Sequence, residues 1–140
     1  MKQLVRENIN FERGLDPKEA LGLAGLKAVP GRLNDILRTD YRQHYLHVGK
    51  SRWEGDKLVI IGWTEGDPEG AGFKIKIWWD EGIFAFRAEI ETYLRDWDND
   101  WRKDYRTIYP IKGKKIEEHI ASQLASEIIP NYLSLIYKKN

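Results

Sequence analysis

Two alternating segments joined by a turn constrain the fold of this chain more than any other feature. They lie in residues 72–91, GFKIKIWWDEGIFAFRAEIE, on either side of Asp80-Glu81-Gly82. The alternating apolar positions are Phe73, Ile75, Ile77, Trp79, Phe84, Phe86, Ala88 and Ile90. A period of two places such side chains on one face of a half-buried antiparallel sheet. The sequence therefore predicts a hairpin whose apolar face the rest of the chain must cover.

The clearest helical pattern begins at Ile116 and can supply that cover. Apolar residues recur every four positions through Ile120, Leu124 and Ile128, which is typical of a helix that packs by one face. Pro130 is expected to end or kink this helix, since it lacks an N–H donor and its ring clashes with the preceding turn. We predict an α+β domain with an antiparallel meander of four to five strands, short N-terminal helices and a C-terminal helix packed across the sheet.

Composition narrows the class of protein. The chain has 140 residues, enough for one domain with its own core. It has no cysteine, which excludes disulfides and thiolate chemistry. Lys and Arg total 23 and Asp and Glu total 22, and the net charge of +1 gives no overall attraction to nucleic acid or membrane. No segment approaches the roughly 20 apolar residues of a membrane span, so we predict a cytoplasmic protein without membrane contact.

The first part of the chain predicts two short helices after an irregular lead. Asp16-Pro17 is a favourable helix start, because Asp can accept free amide protons of the first turn and Pro needs no partner there. Gly22 and Gly25 are expected to end that helix. A second short helix is predicted over residues 30–38, where Leu and Ile recur at helical spacing.

Residues 10–22 carry a separate signal. The run NFERGLDPK, continuing to Leu21-Gly22, resembles a segment of uncharacterised proteins of gut bacteriophages and related mobile elements. The resemblance implies a phage origin and assigns no activity or catalytic position. It lies in an N-terminal lead and short helix, residues 1–25, which we treat as a candidate docking segment beside a single α+β domain over residues 26–140.

Further strands are predicted on both sides of the hairpin. A short strand is expected at residues 45–48, followed by a turn, and the continuous apolar run at 58–63 is typical of a central strand. Residues 93–109 are ambiguous, because aromatic residues four apart favour one helical face whereas the acidic run at 96–100 favours a turn. We favour a turn followed by a strand, and the helix is the alternative.

Residues 96–100 also form the most metal-like cluster. Asp96, Asp98 and Asp100 alternate as the acids of an EF-hand loop do, but Trp101 stands where that loop needs Gly. A solvated acidic turn explains the run as well, so we assign neither a metal nor a cofactor.

The three histidines do not form a metal site. His44 and His47 are three residues apart and would point to opposite faces of a strand, and His119 belongs to the edge of the C-terminal helical stripe. No nucleophile elbow, phosphate-binding loop or zinc-protease motif is present in the sequence. We therefore assign no catalytic residue, and we favour a protein that is not an enzyme.

Basic residues around an aromatic residue raise the question of nucleic-acid binding. The residues concerned are Lys57, Lys74, Lys76 and Arg87, with Trp78 as a stacking platform. Glu89 and Glu91 dilute this patch, and ordinary solvent-facing strand residues explain it. We therefore expect no nucleic-acid partner.

Tryptophan is abundant, with six residues in the chain. They cannot easily all enter a core that already holds several Phe, Ile and Leu, and exposed aromatic residues beside charges are typical of contact surfaces and ligand pockets. A Trp-rich core with partly exposed edges is the alternative. The candidate ligand-binding or partner-binding residues are Trp53, Trp63, Trp78, Trp97, Trp101 and His47.

Two classes of function fit these features. The first is a non-enzymatic interaction protein, encoded by a phage, that serves as an accessory or virion component or blocks a host factor in the host cytoplasm. The second is a small-ligand binder or small enzyme with a pocket between the sheet and the C-terminal helix, in which His47, Asp98 or Glu89 supply polar groups. We favour the first, with an unidentified protein partner, and a homodimer is compatible with either.

Overall fold

The chain folds into a five-stranded antiparallel sheet with two long helices, which confirms the predicted α+β class. This computed structural model describes residues 17–65, 67–94 and 101–139. In chain order the elements are helix α1 (Pro17–Thr39), a short 3-10 turn (Arg42–His44), strands β1 (Leu46–Glu54), β2 (Lys57–Thr64), β3 (Asp67–Asp80), β4 (Ala85–Leu94) and β5 (Trp101–Ile108), and helix α2 (Ile116–Lys139).

The sheet is a meander in which every strand pairs with its neighbour in sequence, in the order β1-β2-β3-β4-β5. The predicted hairpin is β3–β4, and Asp80 organises its turn. One carboxylate oxygen of Asp80 accepts a hydrogen bond from the Gly82 N–H at 3.0 Å, and the other accepts one from Arg87 Nε at 3.1 Å. Phe84 closes the turn with a φ of 53°, in the left-handed region that non-glycine residues seldom adopt.

Both helices cover the same face of the sheet, which we call the inner face. The alternating positions of β3 and β4 pair with one another there, as at Ile75 and Ile90, and neither of these side chains is exposed to solvent. The fully buried large side chains of this core are Phe73, Phe86, Leu26, Leu33, Leu37, Ile60, Ile75, Ile77, Ile90, Ile108, Ile120 and Leu124. The hairpin's apolar face is thus covered as the sequence predicts.

Helix α1 is one helix where the sequence predicts two. It begins at Pro17, as expected, and continues through both glycines and through Pro30 to Thr39. The buried residues Leu26, Val29 and Leu33 continue at helical spacing across Pro30, so packing on the core maintains the helix despite the lost backbone hydrogen bond. The helix also runs through residue 25, where the sequence suggests a boundary between two parts of the chain.

Helix α2 forms where the sequence predicts the covering helix. Ile120, Leu124 and Ile128 are fully buried against the sheet. Pro130 lies inside the helix, which continues to Lys139. Pro130 is exposed, whereas Asn131 beside it is buried, so the proline ring faces solvent and packing continues on the other side of the helix.

Strand β1 is longer than predicted because a bulge interrupts its pattern. It extends from Leu46 to Glu54 and shifts its pairing with β2 between Val48 and Lys50. The Val48 N–H donates a hydrogen bond to Asn34 Oδ1 of α1 at 2.9 Å. An extra residue in one strand reverses which alternate side chains face the core. The apolar residues of β1 therefore do not keep a period of two along its whole length, and the sequence pattern predicts only its first part.

Strand β5 resolves the ambiguity over residues 93–109 in favour of a strand, at least for the part that the structure describes. Its side chains on the inner face form a polar seam with α2. Arg106 donates to Glu127 Oε1 at 2.6 Å and also to Gln123 Oε1. Asn131 donates to Asp104 Oδ2 at 2.8 Å. The last strand is therefore attached to the helix by charged and polar groups where the central strands use apolar ones.

Candidate functional site: the outer face of the sheet

Neither described helix covers the second face of the sheet, which we call the outer face. Its residues alternate with the buried ones, so the register of the strands determines which of them are neighbours. One row crosses the whole sheet through the pairs His47–Trp63, Trp63–Gly72, Gly72–Tyr93 and Tyr93–Trp101. We call His47, Trp63, Tyr93 and Trp101 the aromatic row.

Glycines lie beneath two rings of the aromatic row. A side chain at Gly49, in the β1 bulge, would overlap the six-membered ring of Trp63. A side chain at Gly72 would overlap the ring and hydroxyl of Tyr93. Both rings therefore lie close against the backbone of the sheet, in space that a Cβ would occupy.

His47 packs with Trp63 at one end of the row. The ring centroids are 5.6 Å apart and the ring planes meet at 76°, which is the edge-to-face arrangement that aromatic rings prefer. His47 Nδ1 is buried and has no hydrogen-bond partner among the described residues. The pair forms a continuous aromatic surface at this end of the row.

A basic strip lies beside the row on β1, β2 and β3. Lys74 and Lys76 project from the centre of the sheet, and the register of β3 and β4 places Glu91 and Glu89 opposite them. Lys57 Nζ lies 4.4 Å from the centroid of the Trp78 ring, which is within the range of a cation–π contact. Cations and an aromatic ring therefore share this part of the outer face.

Most carboxylates of the outer face are engaged by other cations. Glu54 accepts from Arg52 at 2.7 Å, and this hydrogen bond is the main cause that lowers the pKa of Glu54, with Lys76 and Lys74 adding to it. Glu89 lies 3.9 Å from Lys103. Glu89 and Glu91 of β4 also lie across from Lys76 and Lys74, so the basic strip on β1–β3 is bordered by acidic residues along β4.

The structure separates the six candidate binding residues into three groups. Trp63, Trp78, Trp101 and His47 lie on the outer face, and Trp101 is 51% exposed. Trp53 lies opposite Leu58 on the inner face and packs against the core. Trp97 lies outside the described residues. Sequence reasoning did not find Tyr93 and Tyr105, which extend the same surface, although their alternation with buried residues is visible once β4 and β5 are known.

The residues named for an internal pocket do not share one. His47 and Glu89 lie on the outer face, away from α2, and Asp98 lies outside the described residues. Between β3 and α2, the described side chains such as Phe73, Ile75 and Leu124 are fully buried in the core.

Two depressions occur on the described surface away from the outer face. One, of about 410 Å³, is lined by Arg38, Arg42, Gln43, Tyr45, Leu46 and Glu65. An ion pair of 3.7 Å between Arg38 and Glu65 partly neutralises it. The other, of about 510 Å³, lies beside His119 at the start of α2. Neither gathers a nucleophile with a base in hydrogen-bond contact.

The metal hypothesis gains no support from the described part of the chain. Asp96, Asp98 and Asp100 lie outside it, and Asp104 is bonded to Arg102 at 2.8 Å and to Asn131. His44 lies in the 3-10 turn before β1 and packs against Tyr132 of α2, while His47 lies on the outer face, so the two do not lie on opposite faces of one strand but point to different surroundings. Across residues 17–65, 67–94 and 101–139, no three His, Asp or Glu side chains are grouped so that they could hold a metal ion.

Comparisons with known proteins assign no family. No family model, curated protein or solved structure matches the chain. Among the described helices, none has a stretch long and apolar enough to cross a membrane.

Proposed function

We propose that this is a non-enzymatic interaction protein that binds a protein partner through the outer face of its sheet. One observation carries the proposal: both helices pack on the inner face, so the aromatic row and the basic strip are left uncovered by the described chain. Trp and Tyr are enriched at the centre of protein interfaces and carry much of the binding energy there.

The composition of the face suits a partner with apolar and acidic groups. Trp63, Tyr93 and Trp101 offer ring surface in one line. Lys74 and Lys76 lie beside them on β3, with Glu91 and Glu89 of β4 opposite. Rings held against the backbone lose little conformational entropy on binding. The preferred partner therefore presents apolar side chains flanked by Asp or Glu.

The resemblance of residues 10–22 to phage proteins extends the proposal to biological context. It supports a phage-encoded accessory or virion-associated protein, or one that blocks a factor in the cytoplasm of the host. Such proteins act by occupying a surface, and this requires no catalytic group.

Single-stranded nucleic acid is the second candidate, because Lys57 Nζ lies over the Trp78 ring and Lys74 and Lys76 lie on the same face of β3. Stacking platforms among cations are what such proteins use. A gel-shift with single-stranded oligonucleotides at low salt tests it, and absence of retardation at micromolar protein rules it out.

Affinity capture from host lysate tests the main proposal. The baits are the wild-type chain and the outer-face variants Trp78→Ala and Lys74→Glu. Tyr45→Ala and Lys115→Glu serve as matched controls, since both residues are exposed and lie away from the basic strip. We expect a protein that the wild type and both controls retain and the outer-face variants lose. Equal retention by all five baits would contradict the proposal.

A further inference from the structure

The two edges of the sheet differ in how they are protected. Both edge strands expose charged side chains, such as Arg52 on β1 and Lys103 on β5. Strand β1 also has a bulge between Val48 and Lys50, which is a device that prevents a sheet from pairing with another chain. Strand β5 pairs with β4 without any shift in register from Trp101 to Ile108. Its exposed aromatic residues include Tyr105, at 68% exposure. The β5 edge is therefore a regular strand without a bulge.

No described strand pairs with the second side of β5. Helix α2 meets this strand on the inner face, where Arg106 is bonded to Glu127. The free backbone N–H and C=O groups of such an edge can accept another strand as an extension of the sheet.

The geometry of a two-fold dimer restricts how two copies of β5 could pair. An axis perpendicular to the sheet makes the strands antiparallel and keeps outer residues opposite outer residues. Because the side chains alternate, one strand can shift against the other only in steps of two residues. The axis must therefore pass between the two copies of one residue, which is then opposite itself. Near the middle of β5 this residue is Lys103, Asp104, Tyr105 or Arg106.

The charges of β5 distinguish these four arrangements. An axis at Lys103 or Arg106 places that cation opposite its own copy. An axis at Asp104 places the two Asp104 carboxylates opposite each other and also places Arg102 opposite Arg106. An axis at Tyr105 opposes Asp104 to Arg106 twice and Tyr105 to itself. Opposite charges directly across strands are favourable and like charges are not. Among the four registers, the one with its axis at Tyr105 is therefore the one without like-charge pairs.

That register also gathers the exposed aromatic residues of the edge. Trp101 comes opposite Tyr109 of the second copy, one residue beyond the end of β5, and Trp101 and Tyr105 of each chain lie on the outer side. The exposed fractions of Trp101, Tyr105 and Tyr109 are 51%, 68% and 56% in one chain. Charge and apolar surface therefore favour the same alignment.

We propose that the protein forms a homodimer in which the β5 strands of two copies pair antiparallel about a two-fold axis at Tyr105, giving one continuous sheet with all helices on one side. The inference goes beyond the proposed partner binding and does not depend on it. Its test uses the purified protein alone, so the outcome is separate from that of the capture experiment.

Sedimentation equilibrium of the full chain tests the dimer. We expect twice the mass of one chain for the wild type and for the control Tyr45→Lys. We expect Tyr105→Lys to weaken dimerisation about 10-fold or more, because two cations then oppose each other at the axis. Circular dichroism checks that each variant is folded. A wild-type protein that stays monomeric up to about 100 µM, or a folded Tyr105→Lys variant that dimerises as the wild type does, would overturn the proposal.

The absence of cysteine from the chain allows a direct test of register. Opposed residues of an antiparallel pair have Cα atoms about 4.5–5.5 Å apart, within reach of a disulfide. Under mild oxidation Tyr105→Cys should therefore cross-link to its copy, while Lys103→Cys should remain uncrosslinked because it faces Thr107. More efficient cross-linking of Lys103→Cys than of Tyr105→Cys would refute the register.

Discussion

Arg106 of β5 and Glu127 of α2 form an ion pair with 2.6 Å between Nη1 and Oε1, and both side chains are largely shielded from solvent. It is one end of the polar seam, and Asn131 bonded to Asp104 lies further along it. Partly buried pairs of this kind specify one alignment, because any shift leaves a charge without its partner. The seam therefore sets how β5 lies under α2.

Replacing Asn131 tests the seam. Asn131 is 2% exposed, and its side-chain amide donates to Asp104. We expect Asn131→Ala to lower the free energy of unfolding by about 1–3 kcal/mol, because the Asp104 carboxylate loses a buried donor. Urea denaturation measures it. If the seam is correct, the same substitution in an Asp104→Ala background should cost less, and equal costs in both backgrounds would show that the two residues are not coupled.

Helix α2 should contribute strongly to stability through Leu124. This side chain is fully buried in the core beneath the sheet. We expect Leu124→Ala to cost about 2–5 kcal/mol through lost apolar burial and the cavity left behind. Chemical denaturation measures the change, and Ser126→Ala, at an exposed position on the same helix, is the control. An unchanged midpoint for Leu124→Ala would mean that α2 is not docked as described.

Gly62 of β2 should not accept a side chain. A Cβ there would overlap the ring of Phe73 and the carbonyl oxygen of His47. We expect Gly62→Ala to destabilise the fold by about 1–3 kcal/mol, since both neighbours must shift. Gly31 on α1 is the opposite case, because a Cβ there meets nothing within 4 Å. Gly31→Ala should therefore stabilise by about 0.5–1 kcal/mol, and thermal unfolding of both variants checks the contrast.

Stability should fall in mild acid partly because of His119. Burial lowers the pKa of this imidazole below its ordinary 6.5, and Lys114 and Arg106 lower it further, while its hydrogen bond with the Tyr109 backbone acts the other way. The unfolded chain therefore binds the proton more readily, so the free energy of unfolding decreases as pH falls through about 6.5 and is regained above it. Thermal midpoints at about pH 5 and 7.5 measure this.

The variant His119→Gln should show a smaller drop between those two pH values than the wild type. His44→Gln is the matched control, because His44 lies in a different place, against Tyr132 in the second half of α2. The same drop in the wild type and in His119→Gln would assign the acid sensitivity to other groups.

The spacing of apolar residues along the sequence was sufficient to predict the central part of the fold. The alternation through Ile75 and Ile77 predicts both the hairpin and its buried face, and the four-residue spacing through Leu124 predicts the covering helix. Local signals failed where long-range packing decided the outcome. Gly22, Gly25 and Pro30 predict two helices by local chemistry, yet all three lie inside α1, and its buried stripe continues from Val29 to Leu33 across Pro30.

The candidate site was predictable in part for the same reason. The alternation that buries Ile77 also places Lys76 and Trp78 outside, so the basic strip can be derived from the sequence. The aromatic row could not be, because it depends on register across all five strands and on the bulge at Gly49. Trp53 was named as a candidate binding residue because the register of β1 was not known, and it packs against the core.

The meander order has a consequence for how the chain acquires its structure. Each β ladder joins segments that are neighbours in sequence, so the strands can pair one after another with little loop-closure cost. The inner face of that sheet is completed only by α2, which follows all five strands and packs against α1 as well as the sheet. During synthesis the hairpin's apolar face would therefore remain incompletely covered until α2 emerges from the ribosome, and transiently exposed apolar surface of this kind is prone to aggregation.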